Sequence, residues 1–275
     1  MQRRFAQVDV FGAGPYRGNP LAVVVDGEGL SDDEMARFAN WTNLSETTFL
    51  LPPTDPDADY RVRIFTTAGE LPFAGHPTLG SCRVWLDHGG TPAGPEVVQE
   101  CGAGLVRVRL DGRRPAFAAP TLVRSGPVDT GQLGTIEAVI GADVVDAAWA
   151  DNGPGWVAAE VADRDTLLAL RPDFSAAPDL KLGLVARCPV GDDDRFEVRA
   201  FFPSGGHHFE DPVTGSLNAS VAQWLMSRDP GLRSYTARQG TALGRAGRVH
   251  VDRDAAGTIW VGGDVSAAIN GTVGL

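Results

Sequence analysis

The sequence predicts an α+β protein built from two halves of similar fold. Strand-like and helix-like stretches alternate along its 275 residues, a length that is comfortable for two domains. One stretch of the first half, YRVRIFTTAGELPFAGHPTLGSCRVWL, also resembles FEVRAFFPSGGHHFEDPVTGSLNASVAQWL in the second half. The aligned residues include Arg63 with Arg199, Phe65 with Phe201, His76 with Asp211, and Gly80 with Gly215. A strand, a loop, a proline and a helix repeated in one order indicate a duplicated unit.

The first half begins with two strand-like segments, RFAQVDVF and PLAVVV, joined by the Gly- and Pro-rich loop GAGPYRGN. The next segment, SDDEMARFANW, predicts a helix because Ser31 and Glu34 match a capping box. Met35, Phe38 and Ala39 lie on one face of that helix. Further strands are predicted at TTFLL, YRVRIFT, VVQEC, LVRVRL and around PAFAAP, and a second helix at PTLGSCRVWL.

A Pro-containing stretch around residues 115–127 separates the halves, so we expect lobes at residues 1–122 and 123–264. The sequence leaves open whether residues 265–275 return to the N-terminal lobe. In the C-terminal lobe, helices are predicted at TGQLGTIEAVIGA, DRDTLLALR and PVTGSLNASVAQWLM. Strands are predicted at VVDAAWA, GWVAAEV, LKLGLVARC, RFEVRAFF, GRVHV and TIWVGG.

Composition disfavours several classes of function. Acidic residues outnumber basic ones by 35 to 24, and the net charge of -11 disfavours nucleic acid and anionic membranes as partners. The sequence contains no run of about 18 apolar residues that could span a membrane. Its start, MQRRFAQVDVF, lacks the apolar segment of a signal peptide. Three cysteines, Cys82, Cys101 and Cys188, form no disulfide framework, so we expect a reduced, cytoplasmic compartment.

The sequence predicts neither a metal nor a cofactor. His207 and His208 are adjacent, so their side chains point apart, and no further His/Cys cluster supports a metal site. We interpret the two histidines as loop residues at the mouth of a cleft. The segment GAGPYRG differs from the dinucleotide-binding fingerprint in its final spacing, and no acidic residue follows at the required distance.

The phrases FAGHPTLGS and FEDPVTGS each end a strand and enter a helix. A helix N-terminus presents N–H groups without partners and a partial positive charge, so it binds anions such as carboxylates. We predict that His76 and Asp211 occupy the N-cap positions and that Ser81 and Ser216 add hydroxyl donors. Two such helix starts in a cleft between the lobes suit a small amino-acid-like substrate and proton transfer on carbon. Ordinary helix capping is the alternative interpretation of these residues.

Glu46 lies in the segment WTNLSETTFLLPP, between a predicted helix and a predicted strand. Its apolar neighbours Leu44 and Phe49 could raise the pKa of its carboxyl toward neutrality, as a general acid/base requires. The alternative is a solvated loop glutamate, and these residues alone favour that alternative.

Four ordered motifs, DVFGAGPYRGNPLAVV, NLSETTF, FAGHPTLG and EDPVTGS, resemble those of the PhzF-like family of phenazine biosynthesis. The resemblance covers nearly the whole chain and implies a diaminopimelate epimerase-like fold. That fold has two pseudo-symmetric lobes, each a mixed, mostly antiparallel sheet wrapped around a central helix. The resemblance also implies a cofactor-independent isomerase, usually a homodimer.

The family motifs assign roles to residues of this chain. Glu46 matches the acid/base glutamate, and His76 and Asp211 match the other two catalytic positions. The substrate-binding positions implied by the motifs and by the helix starts are Asn19, Gly75, Gly215 and Ser216.

The implied substrate is a small amino-acid-like or dihydro-hydroxyanthranilate-like carboxylic acid. The related amino-acid epimerases carry a cysteine pair at the two helix starts, where this chain has His76 and Asp211, so a thiol-based racemase is disfavoured. The segments HHF and LNASVAQWL depart from the phenazine enzymes beside the expected cleft. Two alternatives remain open: an epimerase that acts at one carbon, and a metabolite-binding protein without catalytic activity.

Overall fold

A computed structural model describes residues 1–275 and contains 18 strands, five α-helices and one short 3-10 helix. This content confirms the predicted α+β class and shows that strands dominate it. The chain divides into two compact units, unit 1 (residues 1–118 and 262–275) and unit 2 (residues 119–261).

The strands follow the predicted alternation of elements. In chain order they are β1 (Gln2–Val10), β2 (Asn19–Val24), β3 (Thr47–Leu51), β4 (Tyr60–Phe65), β5 (Glu70–Leu71), β6 (Val97–Cys101), β7 (Gly104–Asp111), β8 (Arg114–Ala118), β9 (Arg124–Pro127), β10 (Asp146–Asp151), β11 (Trp156–Glu160), β12 (Lys181–Arg187), β13 (Phe196–Ser204), β14 (His207–Asp211), β15 (Ser234–Gln239), β16 (Gly247–Arg253), β17 (Ile259–Gly262) and β18 (Val265–Gly274). The α-helices are α1 (Asp32–Thr42), α2 (Gly75–Asp87), α3 (Thr130–Ile140), α4 (Arg164–Ala169) and α5 (Gly215–Arg228).

Unit 1 is a mostly antiparallel sheet with strand order β18-β1-β2-β3-β4, in which β2 and β3 run parallel. Strand β4 also pairs with β5 and, in parallel, with β6, which begins the β6-β7-β8 meander. Helix α2 packs against six of these strands and buries most of its residues, so it is the central helix of the unit. Helix α1 has the predicted capping box and packs Met35 and Phe38 against Phe49 and Phe65.

Unit 2 repeats this architecture with strand order β9-β10-β11-β12-β13, in which β11 and β12 run parallel. Strand β13 pairs with β14 in a hairpin and in parallel with β15, which continues to β16. Helix α5 takes the central place and is buried along most of its length. A Cβ on Gly183 of β12 would lie 2.3 Å from Leu217 Cδ1, so only glycine allows this helix to approach the strand so closely.

An ion pair in each hairpin fixes how the two units correspond. Arg63 binds Glu70 across the β4/β5 hairpin, and Arg199 binds Glu210 across the β13/β14 hairpin. Each arginine also lies over the ring of the phenylalanine two residues later. The distance from Cζ to the ring centroid is 5.0 Å for Arg63 and Phe65 and 4.9 Å for Arg199 and Phe201. The predicted correspondence of Arg63 with Arg199 therefore holds.

The predicted correspondence of the helix starts is wrong. Counting from the paired glutamates, His76 corresponds to Ser216, and Gly75 corresponds to Gly215 as the first residue of the central helix. The sequence alignment had placed His76 opposite Asp211 because both precede proline. The β13/β14 hairpin is longer than the β4/β5 hairpin, and this difference shifted the alignment.

Candidate active site

The carboxyl of Glu46 is largely shielded from solvent. Glu46 follows α1, which ends at Asn43 in the left-handed conformation, and immediately precedes β3. Its side chain is only 15% exposed, and Oε2 lies 3.5 Å from Nε2 of His76. The solvated loop glutamate that the local residues alone favoured is therefore wrong. The turn between α1 and β3 thus places the Glu46 carboxyl beside the start of α2.

His76 is the second residue of α2, and its side chain is 5% exposed. Burial lowers the pKa of the imidazole to about 3, so the ring is neutral near pH 7. The contact with Glu46 is therefore not an ion pair, although the two groups are within ion-pair distance. A neutral imidazole keeps one N–H and one lone pair, so its nitrogens can donate to or accept from neighbouring groups.

Asn19 and Gly75 complete the group of candidate residues in unit 1. Asn19, the first residue of β2, is fully buried, with Nδ2 3.4 Å from Nδ1 of His76. Gly75 is the first residue of α2. The N-cap of this helix is Ala74, so the prediction that His76 is the N-cap is wrong. Ala74 supplies no side-chain cap, whereas α1, α3 and α4 are all capped by Ser or Asp side chains. The first amides of α2 are therefore available to an anion.

In unit 2, Asp211 is the last residue of β14 and is buried. It is not the N-cap of α5, which is Thr214, so this prediction is also wrong. The hydroxyl of Thr214 donates a hydrogen bond to Oδ2 of Asp211. Gln239 holds the same turn: its Nε2 donates to the Asp211 carbonyl at 3.1 Å, and its Oε1 accepts from the Thr214 amide at 3.0 Å. Sequence reasoning missed Gln239, because it lies in a separate strand, β15, outside every motif.

Gly215 and Ser216 are the first two residues of α5, which also lacks a side-chain cap. The Ser216 carbonyl accepts a hydrogen bond from Nδ2 of Asn152 at 2.9 Å, and its hydroxyl oxygen accepts one from Nε1 of Trp156 at 3.2 Å. Neither partner was predicted, because Asn152 lies within an ordinary turn signal, DNGPG, and Trp156 directly follows it, with no catalytic motif nearby.

Ser81 does not contribute a donor to a ligand, contrary to the sequence prediction. It is fully buried, and its hydroxyl donates to Oγ1 of Thr48 at 2.9 Å. Desolvation raises the pKa of the Cys82 thiol to about 12, so this cysteine is a packed apolar residue and not a thiolate nucleophile. Within each unit, the structure thus brings together Glu46, His76, Asn19 and Gly75 in unit 1 and Asp211, Gly215 and Ser216 in unit 2.

His207 and His208 are the first two residues of strand β14, so the interpretation of them as loop residues is wrong. Their side chains diverge. His207 is exposed, whereas His208 stacks on Phe174 with ring centroids 3.8 Å apart and contacts the Leu180 carbonyl. They border an open depression of about 770 Å³ on unit 2. No group of three or more His, Cys, Asp or Glu side chains in the chain is arranged to hold a metal ion. None of its helices combines the length and the apolar character that a membrane span requires.

The site in unit 1 is thus a shielded carboxyl beside a buried imidazole at the start of an uncapped central helix. Comparison with known proteins identifies the class of protein. Residues 8–268 match the family described as phenazine biosynthesis-like protein, so the chain belongs to that family and is an isomerase, as the motifs predicted.

Three relatives illustrate the match. Antisense-enhancing sequence 1 of Schizosaccharomyces pombe is 36% identical, over 98% of this chain and 98% of that protein. Trans-2,3-dihydro-3-hydroxyanthranilate isomerase of Pseudomonas aeruginosa is 32% identical, over 92% of this chain and 91% of that protein. A crystal structure of a PhzF-family phenazine biosynthesis protein from Enterococcus faecalis is 26% identical, with a TM-score of 0.82 over the full length of both chains.

Proposed function

We propose that this protein moves a proton on a small amino-acid-like carboxylic acid by general acid/base catalysis, without a cofactor, and that Glu46 carries the proton. The observation that carries the proposal is the 3.5 Å contact between Glu46 Oε2 and His76 Nε2, both shielded from solvent. A carboxyl shielded from water beside a neutral imidazole is suited to general acid/base catalysis.

In the proposed reaction, the Glu46 carboxylate takes a proton from one carbon of the substrate. The electron pair of the broken C–H bond forms a new double bond to the adjacent carbon, the electron pair of the existing double bond moves to the far carbon, and Glu46 returns the proton there. His76 polarises the substrate, and the amides at the start of α2, near Gly75, bind its carboxylate. No electrons leave the substrate, so the step requires no redox partner.

We propose that Asp211, Gly215 and Ser216 act on the same substrate as the residues of unit 1. In support, the Asp211 carboxyl is held by the Thr214 hydroxyl and its turn is held by Gln239, which gives the group a fixed direction. Ser216 and the uncapped amides of α5 offer donors for an anionic group. The Asp211 side chain would position the substrate rather than take its proton.

The proposed substrate class is a dihydro-hydroxyanthranilate-like acid, because a relative that matches over 92% of this chain is named for isomerising trans-2,3-dihydro-3-hydroxyanthranilate. We also propose a homodimer, in line with the family resemblance. Light scattering of the purified protein at several concentrations tests this, with an expected mass of twice 29.0 kDa.

Incubation in heavy water tests the role of Glu46. Wild-type protein and Glu46→Gln are incubated with trans-2,3-dihydro-3-hydroxyanthranilate, and product formation and deuterium content are followed by mass spectrometry. We expect product formation and deuterium incorporation by Glu46→Gln to fall by at least about 100-fold, the usual contribution of a general base. Glu28→Gln, at an exposed glutamate, serves as the matched control and should keep full activity. An active, deuterium-incorporating Glu46→Gln protein would refute the assignment, and the configuration of the product separates a shift between carbons from epimerisation at one carbon.

A further inference from the structure

The side chain of Trp156 lies at the start of β11, directly beside the first turn of α5. It is 3% exposed, and its indole Nε1 donates a hydrogen bond to the hydroxyl oxygen of Ser216 at 3.2 Å. An indole N–H is only a donor, so the direction of this bond is fixed and the Ser216 oxygen must be the acceptor. The bond leaves the hydroxyl hydrogen of Ser216 to be used elsewhere.

The Ser216 hydroxyl does not donate to the backbone carbonyl that usually accepts from a serine in a helix. A serine or threonine in a helix commonly donates to the carbonyl four residues earlier, as Thr78 does to Ala74 in α2 at 3.0 Å. For Ser216 that carbonyl belongs to Pro212, and Ser216 makes no hydrogen bond in which its hydroxyl is the donor. The side chain therefore has an unused donor, and the hydrogen bond from Trp156 restricts the directions it can take.

The Ser216 hydroxyl lies where it can act together with the first amides of α5. Ser216 is the second residue of a 14-residue helix whose start has no side-chain cap, so its hydroxyl and the first amides of the helix lie at the same end. Asn152 fixes the backbone there by donating to the Ser216 carbonyl. Accepting one hydrogen bond also makes a hydroxyl a better donor in the next.

We propose that Trp156 is a positioning residue: its indole N–H holds the Ser216 hydroxyl as a donor to a carboxylate oxygen of the substrate. The inference rests on the proposed function only in placing Ser216 at the substrate. It predicts that the indole nitrogen, and not merely the bulk of the ring, is required for tight binding of a carboxylate.

The test compares Trp156→Phe with Trp260→Phe. Trp260 is the matched control, since it is also a tryptophan of unit 2, is also 3% exposed and also donates its indole N–H to one side chain, Asp254. Binding of anthranilate, a stable aromatic amino acid used as the probe, is measured by calorimetry. We expect Trp156→Phe to bind about threefold to tenfold more weakly, the effect of one neutral hydrogen bond, and Trp260→Phe to bind like wild type. Trp156→Phe should weaken binding little further when combined with Ser216→Ala, because both changes remove the same interaction.

A second measurement uses the folded wild-type protein, in case Trp156→Phe does not fold. Of the six tryptophans, the one whose indole N–H resonance moves in Ser216→Ala is assigned to Trp156. Anthranilate should shift that resonance in wild type and leave it unmoved in Ser216→Ala. Equal binding by Trp156→Phe and wild type, or no response of the resonance to anthranilate, would overturn the inference. These measurements concern binding, so they are independent of the Glu46→Gln activity test. If that test refuted the role of Glu46 as proton carrier, the expected anthranilate binding results would not change.

Discussion

Neutral, buried His76 makes the stability of the fold depend on pH in a predictable direction. The imidazole titrates at its ordinary pKa of 6.5 in the unfolded chain, whereas burial lowers the pKa to about 3 in the folded protein. Between these two values the unfolded chain binds more protons than the folded one, so stability falls as pH falls. The contribution of neutral His76 to the free energy of unfolding is fully present above about pH 6.5 and is lost progressively toward pH 3.

The size of this effect follows from the gap between the two pKa values. At pH 4.5 the unfolded histidine is protonated and His76 in the folded protein is still neutral. The contribution of His76 to the free energy of unfolding is then lower than at pH 7 by about 2.7 kcal/mol, since each pH unit below 6.5 costs about 1.36 kcal/mol. The His76→Asn variant has no such group and should lose that much less stability on acidification.

The assay is urea unfolding of wild type, His76→Asn and His207→Asn, followed by tryptophan fluorescence at about pH 7 and about pH 4.5. His207 is exposed, so its replacement removes a histidine without removing a buried one. Titration of the carboxylates that do not contact His76 is common to all three proteins and cancels in the comparison. The argument fails if His76→Asn loses as much stability on acidification as wild type does.

Three further variants test the packing of α5 against β12, the buried ion pair of the β13/β14 hairpin and the capping of α1. Gly183→Ala should lower the free energy of unfolding by about 1–3 kcal/mol, because the new Cβ lies 2.3 Å from Leu217 Cδ1. Arg199→Met should cost about 3–5 kcal/mol, because it leaves the Glu210 carboxylate, 11% exposed, without its partner. Ser31→Ala should cost about 1 kcal/mol through loss of the α1 capping box. Urea unfolding at pH 7 measures all three.

Two matched controls make these predictions refutable. Gly134 of α3 has open space around a new Cβ, so Gly134→Ala should stabilise the helix by about 0.5–1 kcal/mol. Arg4 pairs with Asp26 at the surface, where both side chains are at least 40% exposed, and Arg4→Met should cost at most about 1 kcal/mol. Equal costs within either pair, Gly183 with Gly134 or Arg199 with Arg4, would contradict the packing and burial described above.

Much of the fold could be predicted because its local signals agree with its tertiary structure. The capping box at Ser31 and Glu34 marked the start of α1, and the buried face of that helix followed from its periodicity. Glu46 was different, because a glutamate in a loop is usually solvated and nothing local to the sequence shows that α2 covers it. Only the family motif pointed to the right environment for its carboxyl, which is 15% exposed.

The contacts that sequence reasoning missed come from distant strands. Gln239 reaches the turn at Asp211 from 28 residues away, and Trp156 reaches Ser216 from 60 residues away. Neither residue has a sequence neighbour that signals this contact. The predicted register of the repeat was wrong for a related reason. The alignment relied on the similar residues around His76 and Asp211, whereas the true register follows from strand pairing, which only the structure supplies.

The corrected register bears on how many bases the protein uses. Thr47 pairs with Phe65 as Leu182 pairs with Phe201, so the preceding residues, Glu46 and Lys181, occupy equivalent positions in the two units. Glu46 and His76 of unit 1 thus correspond to a lysine, the only one in the chain, and to Ser216 in unit 2. The Lys181 ammonium donates to the Pro154 carbonyl, so this side chain is already engaged in the protein. Under the proposed function, the carboxyl and imidazole at one helix start would carry the proton and the hydroxyl donor at the other would bind the substrate. We therefore expect a single base rather than two bases acting from opposite faces of a substrate.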